Sequence, residues 1–398
     1  MSKEKIWTKE FISLLFSNFF VSLVFYLLMT SLAVYTIQYF HANESEAGLA
    51  ASIFIIGALV ARLLTGKAIS YMKRKTFLLI SFFIFILAMA SYLFSDSLLF
   101  LYVVRFIHGC GFGAISTGIS TTIMSNLPIH KKGEGTGYFS LSSTLATGIG
   151  PFLAIFLNQH YDYEVIFILC TVLSIIAVVP IILLKLEDEL LLKGNPFKNF
   201  FSLDNFFEKK IIHIAALMIL GGICYSAIVT FINSYAIELG LEKAASYYFL
   251  IYGFVLFFSR PIVGKLFDQK GENIVLYPSY ILFAAAFILL GIATNAFTLL
   301  LSSILLAVGY GSITSSIQTL CVQLVDKTQI GLAVSTFFIC MDFGFGFGPF
   351  LLGFVIPYLK YRGLFIVLAV ISLVILLIYH FIHGKKVFKN KRTVTRGA

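Results

Sequence analysis

From Phe11 to Phe40 the chain carries no charged side chain, a run longer than the roughly 20 residues a helix needs to cross the hydrocarbon of a bilayer. Uncharged runs return at Phe77 to Ser95, Phe106 to Ile129, Gly135 to Tyr161, Val165 to Leu184, Ile211 to Ile237 and Asn273 to Val325, the last needing a turn near Asn295. Further spans, some with a lone charge, lie around Ala47 to Lys67, Ala244 to Gly264, Thr328 to Tyr358 and Gly363 to Ile382. Only helices and closed barrels satisfy their backbone polar groups without water, so runs of this length predict an all-α membrane protein of twelve helices. Only 12% of residues are charged, against about 25% in soluble domains, which fits.

The chain also repeats its landmarks at an offset of 198 residues. Arg62 and Gly66 return as Arg260 and Gly264, Gly111 and Gly113 as Gly309 and Gly311, Gly133 as Gly331, Gly150-Pro151 as Gly348-Pro349, and Glu44 as Glu242. Glycine and proline mark constraints on backbone geometry, so shared spacing means two halves with one backbone plan. Two long apolar halves are the internal symmetry of a secondary transporter, whose bundles move around a site at their interface. The sequence therefore predicts an N-terminal six-helix bundle over 1–185, a linker over 186–209, a second six-helix bundle over 210–384 and a basic tail over 385–398. The linker mixes both charge signs around Gly194-Asn195-Pro196.

Lysine and arginine set orientation. With both termini cytoplasmic, Arg105 lies inside a helix and only Lys243, Lys360 and Arg362 fall outside; the opposite orientation inverts that balance. The net charge of +10 then reads as topology and contact with anionic lipid head groups, not nucleic acid. The apolar stretch after Lys9 is longer than a signal-peptide core, so the first helix is expected to stay. The five cysteines, Cys110, Cys170, Cys224, Cys321 and Cys340, all fall in apolar spans without paired spacing and read as small core residues, with no metal and no cofactor expected.

Three local patterns, on this twelve-helix plan, resemble the major facilitator superfamily, and within it the bacterial proton-coupled drug exporters. The first is the loop after the second helix of each half, G-x-L-x-D-x-x-G. The second half carries it as Gly264, Leu266, Asp268 and Gly271; the first has Gly66 but Ser70 in place of the acid and Lys73 in place of the second glycine. A carboxylate such as Asp268 suits the positive N-terminal end of a helix, and the expectation is that it meets the start of the fifth helix near Glu134 and Gly135 and gates the cytoplasmic side. Ser70 can cap by hydrogen bond but not by charge. The plainer alternative is a solvated turn.

The second pattern is R-x-x-x-G on the fourth helix, from Arg105 to Gly109. The resemblance implies a role in proton coupling for Arg105. His108 follows on roughly the same helical face and titrates near neutral pH when unperturbed. The alternatives are an arginine that ties helices through backbone carbonyls and a histidine that merely packs. The third pattern is the antiporter signature of the fifth helix, kept here mainly as Gly150-Pro151 and spelled more closely in the eleventh as Gly344, Gly348, Pro349 and Gly353. Small residues at spacing four permit close helix contact, and proline permits a bend. The resemblance associates this signature with export.

Asp342 is the one acidic residue near the middle of a span. At 100° per residue Gly346 and Pro349 share its face, opposite Gly344 and Gly348, so if the glycines face a neighbouring helix the acid is expected to face a water-filled cavity. It is the candidate proton and substrate site; the alternative is a structural hydrogen bond. In this family the first, fourth, seventh and tenth helices line the cavity, which adds Tyr26, Thr30, Tyr225, Asn233, Tyr252 and Gln318. Aromatic and amide groups suit a flat amphipathic substrate.

No clustered nucleophile, base or metal set marks an enzyme, and no ring of filter groups marks a channel. The expected function is export of a small organic molecule by proton antiport, of multidrug type, from a working monomer in a bacterial plasma membrane. Around Glu134 to Ile155 and around Asp342, from Met341 to Gly348, the chain also resembles exporters of staphylopine-type metal-chelating metabolites, the second reading; sugar or metabolite transport is a third.

Overall fold

The computed structural model describes residues 6–42, 44–186 and 206–387. Most of the linker, the end of the tail and a few side chains within helices, among them those of Glu44, Asn233 and Glu242, lie outside the described residues. Every regular element among the described residues is helical. The long helices are α1 (Lys9–Phe40), α2 (Glu44–Ala68), α3 (Arg74–Ser91), α4 (Leu98–Asn126), α5 (Lys132–His160), α6 (Tyr163–Leu183), α7 (Leu217–Glu238), α8 (Glu242–Lys270), α9 (Glu272–Gly291), α10 (Ala296–Gln323), α11 (Ile330–Gly353) and α12 (Ile356–Tyr379). Eleven are long and apolar enough to cross a membrane on the residues described; α2 is the exception, and five of its side chains are not described.

The sequence explains where these helices begin and end. Ser97 caps α4 by accepting from the Phe100 amide, and Asn295, its equivalent at the 198-residue offset, caps α10 by accepting from the Thr298 amide. The turn expected near Asn295 is therefore present. The expected Thr328 to Tyr358 span is broken at Gly353, and a short turn from Ile356, with Pro357 where a missing N–H costs nothing, leads to a second break at Lys360 (φ 55°, ψ 177°), between the expected end at Tyr358 and the next expected start at Gly363.

Two compact units emerge. The first comprises residues 1–128, 139–208 and 325–339; the second comprises 129–138, 209–324 and 340–398. In the first, α2 and α3 pack on α4, while α1 and α3 pack on α6. In the second, α8 and α9 pack on α10, while α7 and α9 pack on α12, the same pairs six helices later. The units are not contiguous in sequence. The first turns of α5 group with the second unit, and the first turns of α11 with the first.

The repeated glycines sit where helices touch backbone to backbone. A Cβ on Gly111 would meet Phe85 Cα at 2.9 Å, and one on Gly309 would meet the Phe283 amide nitrogen at 2.7 Å, equivalent partners at the same offset. The Ala58 backbone faces Gly113, and at the equivalent place it is the Leu256 side chain that faces Gly311. With lipid as apolar as leucine, such close approach supplies the packing that hydrophobic burial supplies in water. The outward faces are apolar, as at Phe83, Leu99, Leu183 and Phe297. The inward faces of α4 and α10 are hydroxyl-rich: Ser116, Thr117, Ser120 and Thr121 on one, Ser312, Ser315, Ser316 and Thr319 on the other. Among them Ser116, Ser315 and Thr319 donate to the carbonyl about one turn back, which satisfies them inside hydrocarbon.

Gly309→Ala should lower thermal stability in detergent by about 1–3 kcal/mol, because the methyl meets backbone that cannot move aside. Gly253→Ala, whose Cβ would meet nothing within 4 Å, should leave stability equal or slightly raised. Equal melting shifts for the two would contradict this packing account.

Candidate functional site

Asp268 lies in the last turn of α8, which runs on to Lys270 and stops at Gly271 with φ 88°, a conformation that favours glycine. Its two carboxylate oxygens accept the backbone N–H groups of Gly133 and Glu134, each at 2.8 Å, at the start of α5. First-turn amides have no partner within the helix, and the helix dipole favours negative charge there. Each bond is charge-assisted and contributes about 1.5–3 kcal/mol. Glycine permits the approach: Cβ atoms on Gly133 and Gly264 would meet Asp268 Oδ1 at 2.8 Å and Glu134 Cα at 2.9 Å. Lys265 adds a solvent-facing ion pair to Glu134 at 3.7 Å, a minor contribution. One turn on, a Cβ on Gly137 would meet the Arg260 carbonyl oxygen at 2.6 Å.

The first unit builds the equivalent corner with other chemistry. Here α2 stops at Ala68, and Ser70 lies in the turn that follows, with Lys73 at φ −58° where the other copy has Gly271. Ser70 Oγ donates to the Thr328 carbonyl at 2.9 Å instead of capping the amides of α11. Ser335, the equivalent of Gly137, hydrogen-bonds the Arg62 carbonyl, as the repeat demands. A Cβ on Gly66 would meet Ser335 Oγ at 2.8 Å. Arg62 is 3% exposed, lies 4.3 Å over the Phe338 ring and reaches Thr117 at 3.4 Å.

Arg105 and His108 do come together. Arg105 is 1% exposed; its Nε donates to the Ala50 carbonyl at 2.9 Å, its Nη2 lies 3.4 Å from Met29 Sδ, and its guanidinium caps the Phe54 ring at 4.5 Å. His108 Nδ1 shares a hydrogen bond with Tyr92 Oη at 3.2 Å within a cage of Phe54, Phe85 and Tyr92, and its Nε2 has no partner. The carbonyl bond makes Arg105 a tie between α4 and α2. In the second unit Ser303, its equivalent, makes the same tie to the Tyr248 carbonyl at 2.7 Å.

The second unit gathers an aromatic wall beside a carboxylate. Tyr225 of α7 stacks on Tyr310 of α10 at 4.3 Å between ring centres, tilted by 12°, with Tyr252 of α8 at 5.9 Å and Phe345 of α11 at 6.1 Å from Tyr225. Asp342 and Arg260 both act electrostatically on Tyr310, so two charged candidates lie within Coulomb range of the wall. Asp342 holds this place because the opposite face of α11 is occupied. Gly344 packs on the backbone of Ile219, and a Cβ on Gly348 would meet Ile223 Cα at 3.0 Å. In the first unit Gly150 packs similarly on Tyr26 of α1, with 2.7 Å from a Cβ to that of Tyr26. Pro151 and Pro349 lie inside their helices. Thr30 donates to the Tyr26 carbonyl at 3.1 Å, so its hydroxyl proton serves its own helix. Gln318 is buried on α10.

Tyr310 and Phe345 did not enter the sequence reading. Tyr310 sits between the landmark glycines Gly309 and Gly311, and that position, where backbones converge, was the available signal. Nor did the clamp of α1 on α5, in which Asn18 Nδ2 donates to Ser142 at 2.7 Å and Ser143 at 3.0 Å. Among the described residues no cluster of three His, Cys, Asp or Glu could hold a metal ion.

In Asp268→Asn the side chain keeps only one acceptor oxygen and loses its charge. Amide hydrogen exchange of the 132–138 peptide should then accelerate roughly tenfold or more, since one charge-assisted bond is lost. Unchanged exchange there would contradict the assigned role.

Comparisons with known proteins agree with this geometry. The family model of the Major Facilitator Superfamily matches residues 14–325 and 271–396. An uncharacterized MFS-type transporter of Methanocaldococcus jannaschii is 25% identical over 93% of this chain and 95% of its own length. The staphylopine export protein of Staphylococcus aureus is 20% identical over 84% of this chain and 87% of its own. Among solved structures, the human organic anion transporter MFSD10 superposes with a TM-score of 0.76 at 13% identity, covering 93% of this chain and 98% of that one. The transporter FucP in the outward conformation does so with 0.72 at 17%, covering 94% and 99%. These likenesses to solved structures are likenesses of fold. With a family match across the chain and eleven membrane-competent helices, this multi-pass membrane protein belongs to the Major Facilitator Superfamily.

Proposed function

We propose that this chain exports a small organic molecule in exchange for protons by alternating access, with twelve membrane spans, both termini cytoplasmic, and bundles at 1–185 and 210–384 joined by the linker. The setting is a bacterial plasma membrane, the working unit is a monomer, and no cofactor takes part. One observation carries the reading: a carboxylate inside an apolar helix, Asp342, acts electrostatically on Tyr310, which stacks on Tyr225. A carboxylate in a span is costly unless water, a proton or a cation reaches it. Protonated, it lowers that cost; ionised, it holds a cation whose apolar rings lie on Tyr225, Tyr252 and Phe345. Competition between proton and cation for one oxygen pair is the elementary form of antiport, and it suits multidrug-type efflux. In this scheme Arg105 and His108 set the α2–α4 geometry of the first unit, and Asp268 closes the cytoplasmic corner of the second.

A second reading has its own support. Export of a metal-chelating zwitterion fits the similarity to the staphylopine export protein and the presence of Arg260 beside the same tyrosine, since a guanidinium pairs with carboxylates.

Binding to the purified full chain separates the two. Lipophilic aromatic cations should bind, and Tyr225→Ala should weaken them roughly tenfold through loss of one stacked face. Binding of a polar zwitterionic chelator alone, weakened by Arg260→Gln and indifferent to Tyr225→Ala, would overturn the cation reading in favour of the second.

A further inference from the structure

The two corners differ in more than one residue. Where the second unit has Asp268 and Glu272, the first has Ser70 and Arg74 at the equivalent positions. The acid that completes the second corner is thus missing from the first, and a cation has been added. The amides that Asp268 holds belong to Gly133 and Glu134; their equivalents are Gly331 and Leu332 in the first turn of α11. At that point the first unit has a pocket. Ser70, Arg74, Thr121, Lys327 and Gly331 are among its lining residues.

The pocket is built for a negative guest. Arg74 is 8% exposed, and one guanidinium nitrogen is fixed on Asn126 Oδ1 at 3.1 Å, so its charge is held in place. Lys327 stands exposed at the rim. Ser70 already gives its proton to the Thr328 carbonyl, so it does not occupy the place of the missing carboxylate. Thr121 supplies the independent sign: it is 4% exposed, it is one of the residues that line the pocket, and its hydroxyl, one side-chain rotation away from the methyl that faces Gly331, has no hydrogen-bond partner. A buried unsatisfied donor costs about 1–3 kcal/mol, a cost that an acceptor oxygen in the pocket would remove. The dipole of α11 adds to the same sign of field.

We infer that the first unit binds an oxyanion of the phosphate class between Arg74, Lys327, Thr121 and the first turn of α11, where it does what the carboxylate of Asp268 does in the second unit. The anion comes from solution or from a lipid head group. The inference does not depend on the transported molecule.

Titration calorimetry of the delipidated full chain with inorganic phosphate, at constant ionic strength in chloride, tests the site; vesicles of phosphatidylcholine with and without phosphatidylglycerol form the second arm. Wild type should bind one phosphate or retain phosphatidylglycerol. Binding of free phosphate names the solution source, and retention of the lipid without phosphate binding names the head group. Ser70→Asp, which restores the built-in carboxylate, should weaken either by about tenfold or more. Thr121→Val removes only an unpartnered hydroxyl, should fold as wild type does, and should weaken binding in the same direction; it decides the matter if Ser70→Asp fails to fold. Absence of both kinds of binding in wild type, or binding as tight in the folded variants, would overturn the proposal.

Discussion

A helix in hydrocarbon gains little by hiding apolar side chains, so it associates only where backbones come close enough for dispersion and polar contacts to act. The rest of this structure depends on that constraint. The landmark glycines at 111, 113, 133, 150, 264, 309, 344 and 348 each place a neighbouring helix where a Cβ would intrude. Their spacing positions α4 against α2 and α3, α10 against α8 and α9, and α5 against α1. Side chains then take up the places that the backbone contacts leave. Tyr310, between Gly309 and Gly311, is carried to the wall it forms with Tyr225 by the same contact that seats α10 on α9.

Upon that shared backbone the two units carry different chemistry. The tie to the neighbouring helix's carbonyl is made by Arg105 in one and by Ser303 in the other. The corner that receives the start of a partner helix has Asp268 and Gly271 in one and Ser70 and Lys73 in the other. Glycine at 271 lets α8 run a further turn and presents its acid from a helix; lysine at 73 leaves Ser70 in a turn, pointed at a carbonyl.

Much of this was legible in the sequence, and the physical reason is locality. Span lengths, the turn near Asn295, the glycine landmarks and the match of Asp268 to the start of α5 follow from spacing along one helix or from a recognisable loop pattern. The break between Gly353 and Ile356 was not legible, because the apolar run continues through it. Nor was the grouping of the first turns of α11 with the first unit, since no acid marks that corner in the sequence and the contact depends on packing across more than two hundred residues. The sequence placed Asp342 opposite the glycine face of its helix; that Asp342 and Arg260 both act on Tyr310 is tertiary information. The Thr30 hydroxyl donates to the Tyr26 carbonyl and the Tyr26 backbone and Cβ receive Gly150, contacts that spacing along one helix does not show.

The claim on which the functional reading rests is that Asp342 exchanges a proton for the transported molecule. Substrate-stimulated proton movement across proteoliposomes containing the full chain, measured for wild type, Asp342→Glu and Asp342→Asn, tests it most directly. Proton movement that survives in part with glutamate and vanishes with asparagine, while the protein stays folded and still binds substrate, is the expected result. Coupled proton movement at the wild-type rate in Asp342→Asn would contradict it.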